Sequence, residues 1–431
     1  MLAGEAAEKA VVSRLSKTLG KNWRWIHPLA RRYLAHFGSE MRPRRKEVIQ
    51  FLHADEGLFR AKVRYRSEVR IAEWVCEPCT MQPVTAAARW QIPSIESVGA
   101  LAKWLEIGPN ELEWFADLKR LCSRKTPQPT GPLAHYSYRI LAKDSGTIRL
   151  IEAPKRRLKQ IQQMILSNIL DRIPVHPTAH GFVKHRSIQT FAAPHIGKHV
   201  VLRMDLKDFF PSIQGARIPA FFRTTGYPEP VADRLAGLCM NATPRGLWKT
   251  LGRDVAVECM VEARALYAWP HLPQGAPTSP ALANLCAYRM DCRLRGLAES
   301  AGAAYTRYAD DLAFSGDEAF ERCVERFAAL VAAILREEGF FVNHRKTRVM
   351  RRGVRQYLAG LVVNDHANIV RSDFDRLKAI LTNCVRSGPH SQNREAHPAF
   401  RLHLEGRIAF VAQVNPKRGA KLRGIFQQIQ W

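Results

Sequence analysis

Tyr305-Thr306-Arg307-Tyr308-Ala309-Asp310-Asp311-Leu312-Ala313-Phe314-Ser315 sets two adjacent carboxylates between runs of alternating apolar residues. Tyr305, Leu312 and Phe314 suit strands and Ala309-Asp310-Asp311 suits a turn, so the stretch reads as a hairpin whose tip presents acid from the end of a rigid sheet. Two like charges held that close favour a divalent cation. The plain alternative is a solvated acidic turn, and choosing between them requires a further carboxylate from elsewhere in the chain.

Such a residue lies upstream, in Val200-Val201-Leu202-Arg203-Met204-Asp205-Leu206-Lys207-Asp208-Phe209-Phe210-Pro211-Ser212-Ile213. The apolar run reads as a buried strand that delivers Asp205 at its C-terminal end, with Pro211 stopping further pairing. Asp205, Asp310 and Asp311 on adjacent strands could hold two Mg²⁺ ions roughly 3.5–4 Å apart, an arrangement that serves phosphoryl transfer. Mg²⁺ prefers such hard oxygen ligands. Taken alone, Asp205 and Asp208 read equally well as polar residues in a β-to-α turn.

Composition narrows the partner. The 431 residues are 46% hydrophobic, enough for several subdomains with their own cores. Net charge is +27, from 66 Lys and Arg against 39 Asp and Glu, and the isoelectric point is about 10.1. That surplus favours a polyanion and salt-sensitive binding. No apolar stretch is long enough to span a bilayer, and no signal-peptide core follows the acidic, Ala-rich start at Met1–Ala10. The expectation is a cytoplasmic protein with a nucleic-acid partner and no membrane partner. The nine cysteines are an odd, scattered set, and Cys286 and Cys323 sit in apolar helical contexts, as reduced buried thiols do. The one close pair, Cys76 and Cys79, has no second Cys or His pair to complete the four ligands of a zinc site.

Residues 1–125 read as a basic helical region holding six of the nine tryptophans. Trp23 and Trp25 adjoin a basic run through Arg31-Arg32 to Arg42, Arg44, Arg45 and Lys46. Core packing and stacking on single-stranded nucleic acid are both open for this pair. Trp104 and Trp114 read as core residues of helices over 97–105 and 111–121, separated by Gly108-Pro109-Asn110. Ser123–Leu133, with three prolines, reads as a linker. Further on, Ser279 is placed to cap a helix begun by Pro280. Phe320, Val324, Phe327, Val331, Ile334 and Leu335 keep helical spacing, Gly339 ends that helix, and Phe340-Phe341-Val342 reads as a strand.

Further blocks accompany the aspartates in a fixed order. Gly146-Thr147-Ile148-Arg149-Leu150-Ile151-Glu152-Ala153-Pro154-Lys155 precedes Ala179-His180-Gly181-Phe182 and Arg186-Ser187-Ile188. After the Asp205 block come Leu272-Pro273-Gln274-Gly275-Ala276-Pro277-Thr278-Ser279-Pro280, Tyr308-Ala309-Asp310-Asp311, Asn343-His344-Arg345-Lys346-Thr347 and Leu358-Ala359-Gly360-Leu361-Val362-Val363-Asn364. Over residues 95–431 the set resembles bacterial reverse transcriptases, most of all the retron type. The resemblance implies an α+β right-hand polymerase with an N-terminal helical extension over 1–125, fingers over 126–200, a ferredoxin-like palm with finger insertions over 201–365, and a helical thumb over 366–431.

It also implies roles. Asp205, Asp310 and Asp311 match the catalytic, metal-binding aspartates, with the Leu206 carbonyl completing the ion bound to the triphosphate and Mn²⁺ able to substitute for Mg²⁺. Phe210 matches the aromatic below the incoming sugar that excludes a 2′-hydroxyl, which implies deoxynucleotide substrates. Lys143 and Arg149 flank a turn at Asp144-Ser145-Gly146 and match the residues that clamp the triphosphate, although solvated hairpin charges read the same way. Gln274 matches the glutamine near the sugar, and Lys346 the basic residue near the leaving pyrophosphate. Arg186, His195, Lys417, Arg418 and Lys421 are the expected nucleic-acid contacts, with a packed His195 equally open.

Two departures bear on the subtype. Phe191-Ala192-Ala193-Pro194-His195 stands where retron enzymes carry Asn-Ala-x-x-His, and Leu358-Ala359-Gly360 where they carry Val-Thr-Gly. Both patterns accompany recognition of the retron's own structured RNA and priming from a 2′-hydroxyl. The expected function is RNA-directed DNA synthesis from dNTPs on an RNA template, a cognate structured RNA included, giving a DNA product. The resemblance extends this to antiphage defence with an associated effector or toxin. Template-independent or protein-primed synthesis, and a non-catalytic RNA-binding scaffold, are the competing readings.

Overall fold

The computed structural model describes residues 6–38, 43, 45–66, 68–73, 81–121, 131, 134–142, 148–248 and 257–431. The chain divides into two compact units. One comprises Met1–Leu121 and Ile218–Leu238; the other comprises Cys122–Arg217 and Cys239–Trp431. Lys143, the adjoining turn, Arg42, Arg44, Cys76, Cys79 and nearly all of the proline-rich stretch lie outside the described residues. Among the described residues no helix is long and apolar enough to cross a membrane.

The first unit is helical. Val11, Val12, Ile26 and Ala30 come from helices Glu8–Thr18 and Ile26–Phe37, and they enclose Trp23, which is 7% exposed. Trp23 packs against Tyr65 at 4.9 Å with Lys21 over its ring, so it belongs to the core. Trp114 does not follow the expectation: it is 41% exposed. Its helix is Pro109–Ala116, with Gly108 at the N-cap position and Pro109 in the first turn, and left-handed Asp117 ends it well before residue 121. The segment 218–238 is stitched to this unit. Tyr227 Oη donates to the Pro93 carbonyl, Arg234 Nε to Glu113 Oε1, and Gly237 lies against the Ala116 backbone.

The second unit opens with a hairpin of β1 (Tyr136–Ala142) and β2 (Ile148–Pro154). A four-stranded antiparallel sheet follows, built from β3 (Val200–Asp205), β4 (Ala304–Tyr308), β5 (Asp311–Gly316) and β6 (Arg348–Arg351) in the order β4-β5-β3-β6. Helices lie between β3 and β4, and helix Glu318–Glu337 joins β5 to β6. This is the β-α-β-β-α-β succession of a ferredoxin-like sheet. Helix Glu318–Glu337 forms because its apolar residues recur at helical spacing and Asp317 caps its first turn, and it buries Phe320, Val324, Phe327, Val331 and Leu335. Phe314 stacks on Tyr305 at 4.7 Å and meets Phe327 edge-on at 5.1 Å.

Two local expectations change. Phe340-Phe341-Val342 forms no strand; Val342 makes a single bridge to Leu206 and the Phe341 carbonyl accepts from Lys207 N. Ser279 is not the cap of helix Ser279–Cys286, since Thr278 occupies that position and Ser279 Oγ donates to the Pro273 carbonyl. Of the cysteines so placed, Cys286 and Cys323 are half-buried, Cys239 and Cys384 are buried, and all are free thiols. Short strands β7 (Tyr357–Leu358), β8 (Leu361–Val362) and β9 (Asn368–Ile369) lead to helices Arg371–Ser387, Phe400–Val414 and Pro416–Phe426. These close on Leu377, Leu381, Leu404, Ile408, Val411 and Leu422.

Alternation along β2 turns Glu152 inward with Ile148 and Leu150 and leaves Arg149 exposed. The fully buried Glu152 carboxylate accepts from Asn241 Nδ2 at 2.8 Å, Thr243 Oγ1 at 3.0 Å and His271 Nε2 at 2.7 Å. Its backbone N–H donates to the Gln274 carbonyl at 2.8 Å, and Gly275, at φ +129°, lies so close that a Cβ there would stand 3.0 Å from the Glu152 carbonyl oxygen. Burial pulls the His271 pKa down, but the charge and hydrogen bond of Glu152, with the Trp269 carbonyl, more than offset it, so it lies above the ordinary value.

Phe314→Ala is expected to cost about 3–5 kcal/mol, read as a lowered urea midpoint. A raised folded-state pKa makes the stabilisation by the His271–Glu152 pair complete below the ordinary histidine value of 6.5 and lost as pH rises through the raised one. The stability gap between the wild-type protein and Glu152→Gln, measured by urea denaturation at increasing pH, should therefore narrow; a constant gap would mean an uncharged pair.

Candidate active site

The ends of β3 and β5 converge on one point. Their antiparallel register sets Asp205 directly opposite Asp311, and Leu206 N donates to the Asp310 carbonyl at 2.9 Å. Asp311 is the first residue of β5, so the turn from β4 consists of Ala309 and Asp310, with Ala309 at φ +56°. That left-handed turn is pressed from behind by Gly181, where a Cβ would stand 2.5 Å from Ala309 N.

Each carboxylate has its own surroundings. Asp205, 4% exposed, accepts from Lys346 Nζ at 2.9 Å and Asn343 Nδ2 at 3.1 Å, and its carbonyl accepts from Asn343 N at 2.7 Å. Asp311 Oδ1 accepts from Arg203 Nη2 at 2.7 Å and Nε at 3.0 Å. Burial and then the negative charge of Asp205 push the Asp310 pKa up, with Asp311 adding to the shift. Among the described residues no three His, Cys, Asp or Glu side chains converge as a ready-made set of metal ligands. Two of the three carboxylates are instead held by cationic side chains. The donors are nonetheless hard oxygens from both strand ends, in a place where negative charge has gathered Lys346 and Arg203, so the residues fit a divalent cation.

Around this centre, half-buried Phe210 lies in the short helix Phe209–Ser212 after left-handed Asp208. Phe182 approaches it at 6.0 Å between ring centroids while 52% exposed. Phe182 belongs to the Ala179–Phe182 block, which implies no role for it; its left-handed φ of +61°, which shapes the approach, has no signature in residue type. Gln274 is half-buried and bound through its backbone to β2, the strand that bears Arg149.

The expected nucleic-acid contacts separate. His195 is fully buried, its ring nitrogens 2.6 Å from Ser315 Oγ and 2.7 Å from Thr306 Oγ1, and burial drives its pKa down to about 3. It is a neutral tie between β4 and β5, unable to reach nucleic acid. Arg186 is half-buried with Nη1 donating to the Pro177 and Ala179 carbonyls, so it braces the 176–179 loop. Lys417 and Lys421 are exposed on helix Pro416–Phe426, whereas Arg418 lies over the Phe374 ring at 5.0 Å. Phe191, at the first departure, is fully buried, and its carbonyl accepts from Thr306 Oγ1. At the second, Ala359 and Gly360 form the two-residue turn between β7 and β8, both at positive φ.

Residues 140–368 match the family model described as reverse transcriptase (RNA-dependent DNA polymerase). The chain is 44% identical over 299 residues to the retron Mx65 reverse transcriptase of Myxococcus xanthus, covering 68% of this chain and 65% of that one. It is 36% identical over 342 residues to the retron Mx162 reverse transcriptase of the same organism, covering 76% and 66%. The chain thus spans just under two thirds of the length of these two relatives. Against the retron Ec86 reverse transcriptase of Escherichia coli it is 31% identical over 294 residues, covering 67% and 80%. A family-model match over more than half of the chain, together with these relatives, makes the protein a member of the retron reverse transcriptase family.

Proposed function

We propose that the protein is an RNA-directed DNA polymerase that extends a primer with dNTPs on an RNA template. The observation that carries this reading is the cross-strand pairing of Asp205 with Asp311, beside Asp310 and under Lys346. Asp205, Asp310 and Asp311, with the Leu206 carbonyl, would hold two Mg²⁺ ions or their Mn²⁺ substitutes. When bound, these supply charge neutralisation at the triphosphate and activation of the primer hydroxyl. In this reading the subdomains are fingers over 126–200, palm over 201–365 and thumb over 366–431, with 1–125 as an N-terminal extension.

The protein's own groups do the positioning. Phe210, steadied by Phe182, forms the floor under the sugar and leaves no space for a 2′-hydroxyl. Arg149, with Lys143, neutralises the triphosphate, and Gln274 faces the sugar from a loop that Glu152 fixes to β2. Transfer of this kind depends chiefly on positioning and charge. In this reading Lys346, which donates to Asp205, serves the leaving pyrophosphate as proton donor or charge stabiliser. Lys417 and Lys421, with the net charge of +27, support a duplex or structured RNA as partner. The likeness to proteins named as retron reverse transcriptases supports an RNA template and a DNA product; a cognate structured RNA and antiphage defence beside an effector are the wider form of this proposal.

Purified protein with Mg²⁺ and a primed RNA template should incorporate dNTPs, and the Asp310→Ala, Asp311→Ala double variant should fall to background while still retarding RNA in a gel. Synthesis that persists in that variant would sink the assignment. Phe210→Ala should raise ribonucleotide incorporation relative to deoxynucleotide by about tenfold in competition assays, the scale set by relieving one steric contact in a pocket.

A further inference from the structure

Directly behind the aspartate turn lies a fully buried ion pair that the roles above leave unused. Arg307 and Asp291 are both 0% exposed, and Arg307 Nε and Nη2 bind the two oxygens of Asp291 at 2.8 and 2.7 Å. Tyr305 Oη donates to the same carboxylate at 2.8 Å. The remaining guanidinium nitrogen, Nη1, donates to Asn284 Oδ1 at 2.9 Å and to the Ala309 carbonyl at 3.1 Å. Asn284 in turn donates to the Gly181 carbonyl at 2.8 Å, and Gly181 is the residue pressed against Ala309 N. The Arg307 backbone is held as well, its N–H by the Thr178 carbonyl and its carbonyl by His180 N.

A buried ion pair seldom stabilises a fold more than apolar residues of the same volume, so packing alone does not explain this one. An apolar pair could not donate to the Ala309 carbonyl. Ala309 has the left-handed φ that side chains avoid, and its carbonyl orientation decides how Asp310 and Asp311 leave the turn. The planar guanidinium can hold Asp291 bidentately and still reach that carbonyl, which a lysine ammonium cannot. We infer that Arg307, anchored by Asp291 and Asn284, is a positioning residue that fixes the Ala309 turn and thereby the presentation of Asp310 and Asp311. This rests on the polymerase reading.

The test compares the wild-type protein with an Arg307→Met, Asp291→Leu double variant and with Arg307→Lys. Three quantities are read: thermal midpoint, its shift on adding Mg²⁺ without substrate, and kcat and KM for dNTP. The apolar double variant should melt near the wild-type midpoint. Its kcat should fall by about 10- to 100-fold, the scale of small misplacements at a reacting centre. Its Mg²⁺-induced shift should shrink and its KM change little. Arg307→Lys should show the same kcat loss, and it decides the matter if the double variant fails to fold. Wild-type kcat and Mg²⁺ response in a folded variant would overturn the inference. Absence of synthesis by the wild-type protein would overturn the polymerase reading instead.

Discussion

Asp205 and Asp311 stand opposite each other on neighbouring antiparallel strands, an arrangement that like charges disfavour. Much of the surrounding structure answers that repulsion. Arg203, on the same face of β3 as Asp205, reaches across to Asp311, and Lys346 arrives from the segment after helix Glu318–Glu337. Asn343 fastens that segment to Asp205 by backbone and side chain alike. The length of the helix and its tight exit at Gly339, φ +74°, bring these counter-charges to the strand ends. Charge that must be balanced in a half-buried place is also charge ready to exchange a side-chain partner for a cation or a phosphate-bearing ligand.

How much of this could be read from the chain depends on the kind of signal. The β4–β5 hairpin follows from alternation around two aspartates, and β3 from an apolar run, broken by Arg203 alone before Asp205, suited to a central strand covered on both faces. The long helix follows from its spacing. Where the outcome hinges on one residue's backbone, the pattern misleads: left-handed Asp117 shortens a helix and leaves Trp114 exposed, and Phe340-Phe341-Val342 follows a turn so tight that only one bridge forms. Sequence leaves His195 open between packing and a nucleic-acid contact and reads Arg186 as a contact, yet the first is enclosed by Ser315 and Thr306 and the second is taken up by loop carbonyls.

Buried charge is the least legible feature of all. Glu152 meets its histidine 119 residues away and Arg307 meets Asp291 at a separation of 16, and neither pairing leaves a mark in local composition. Both pairs serve loops that carry proposed site residues. Glu152 lies under the Gln274 loop and Arg307 under the aspartate turn, so the inner polar network and the exposed chemistry share a backbone. Specificity of conformation is one use of such interior polar groups, since a loop with a single hydrogen-bonded arrangement has fewer alternatives.

The first unit is discontinuous in sequence, with Ile218–Leu238 completing what Met1–Leu121 begins. Val231, Ala232, Leu235 and Ala236 of that segment are fully buried. On the ribosome, synthesis moves at about 5–20 residues per second. The N-terminal helices must therefore wait while β1, β2 and β3 emerge, before the segment that finishes their core is available. The unit that starts first is thus not the first that can finish, and separating residues 1–121 from the rest would divide a folding unit instead of releasing one.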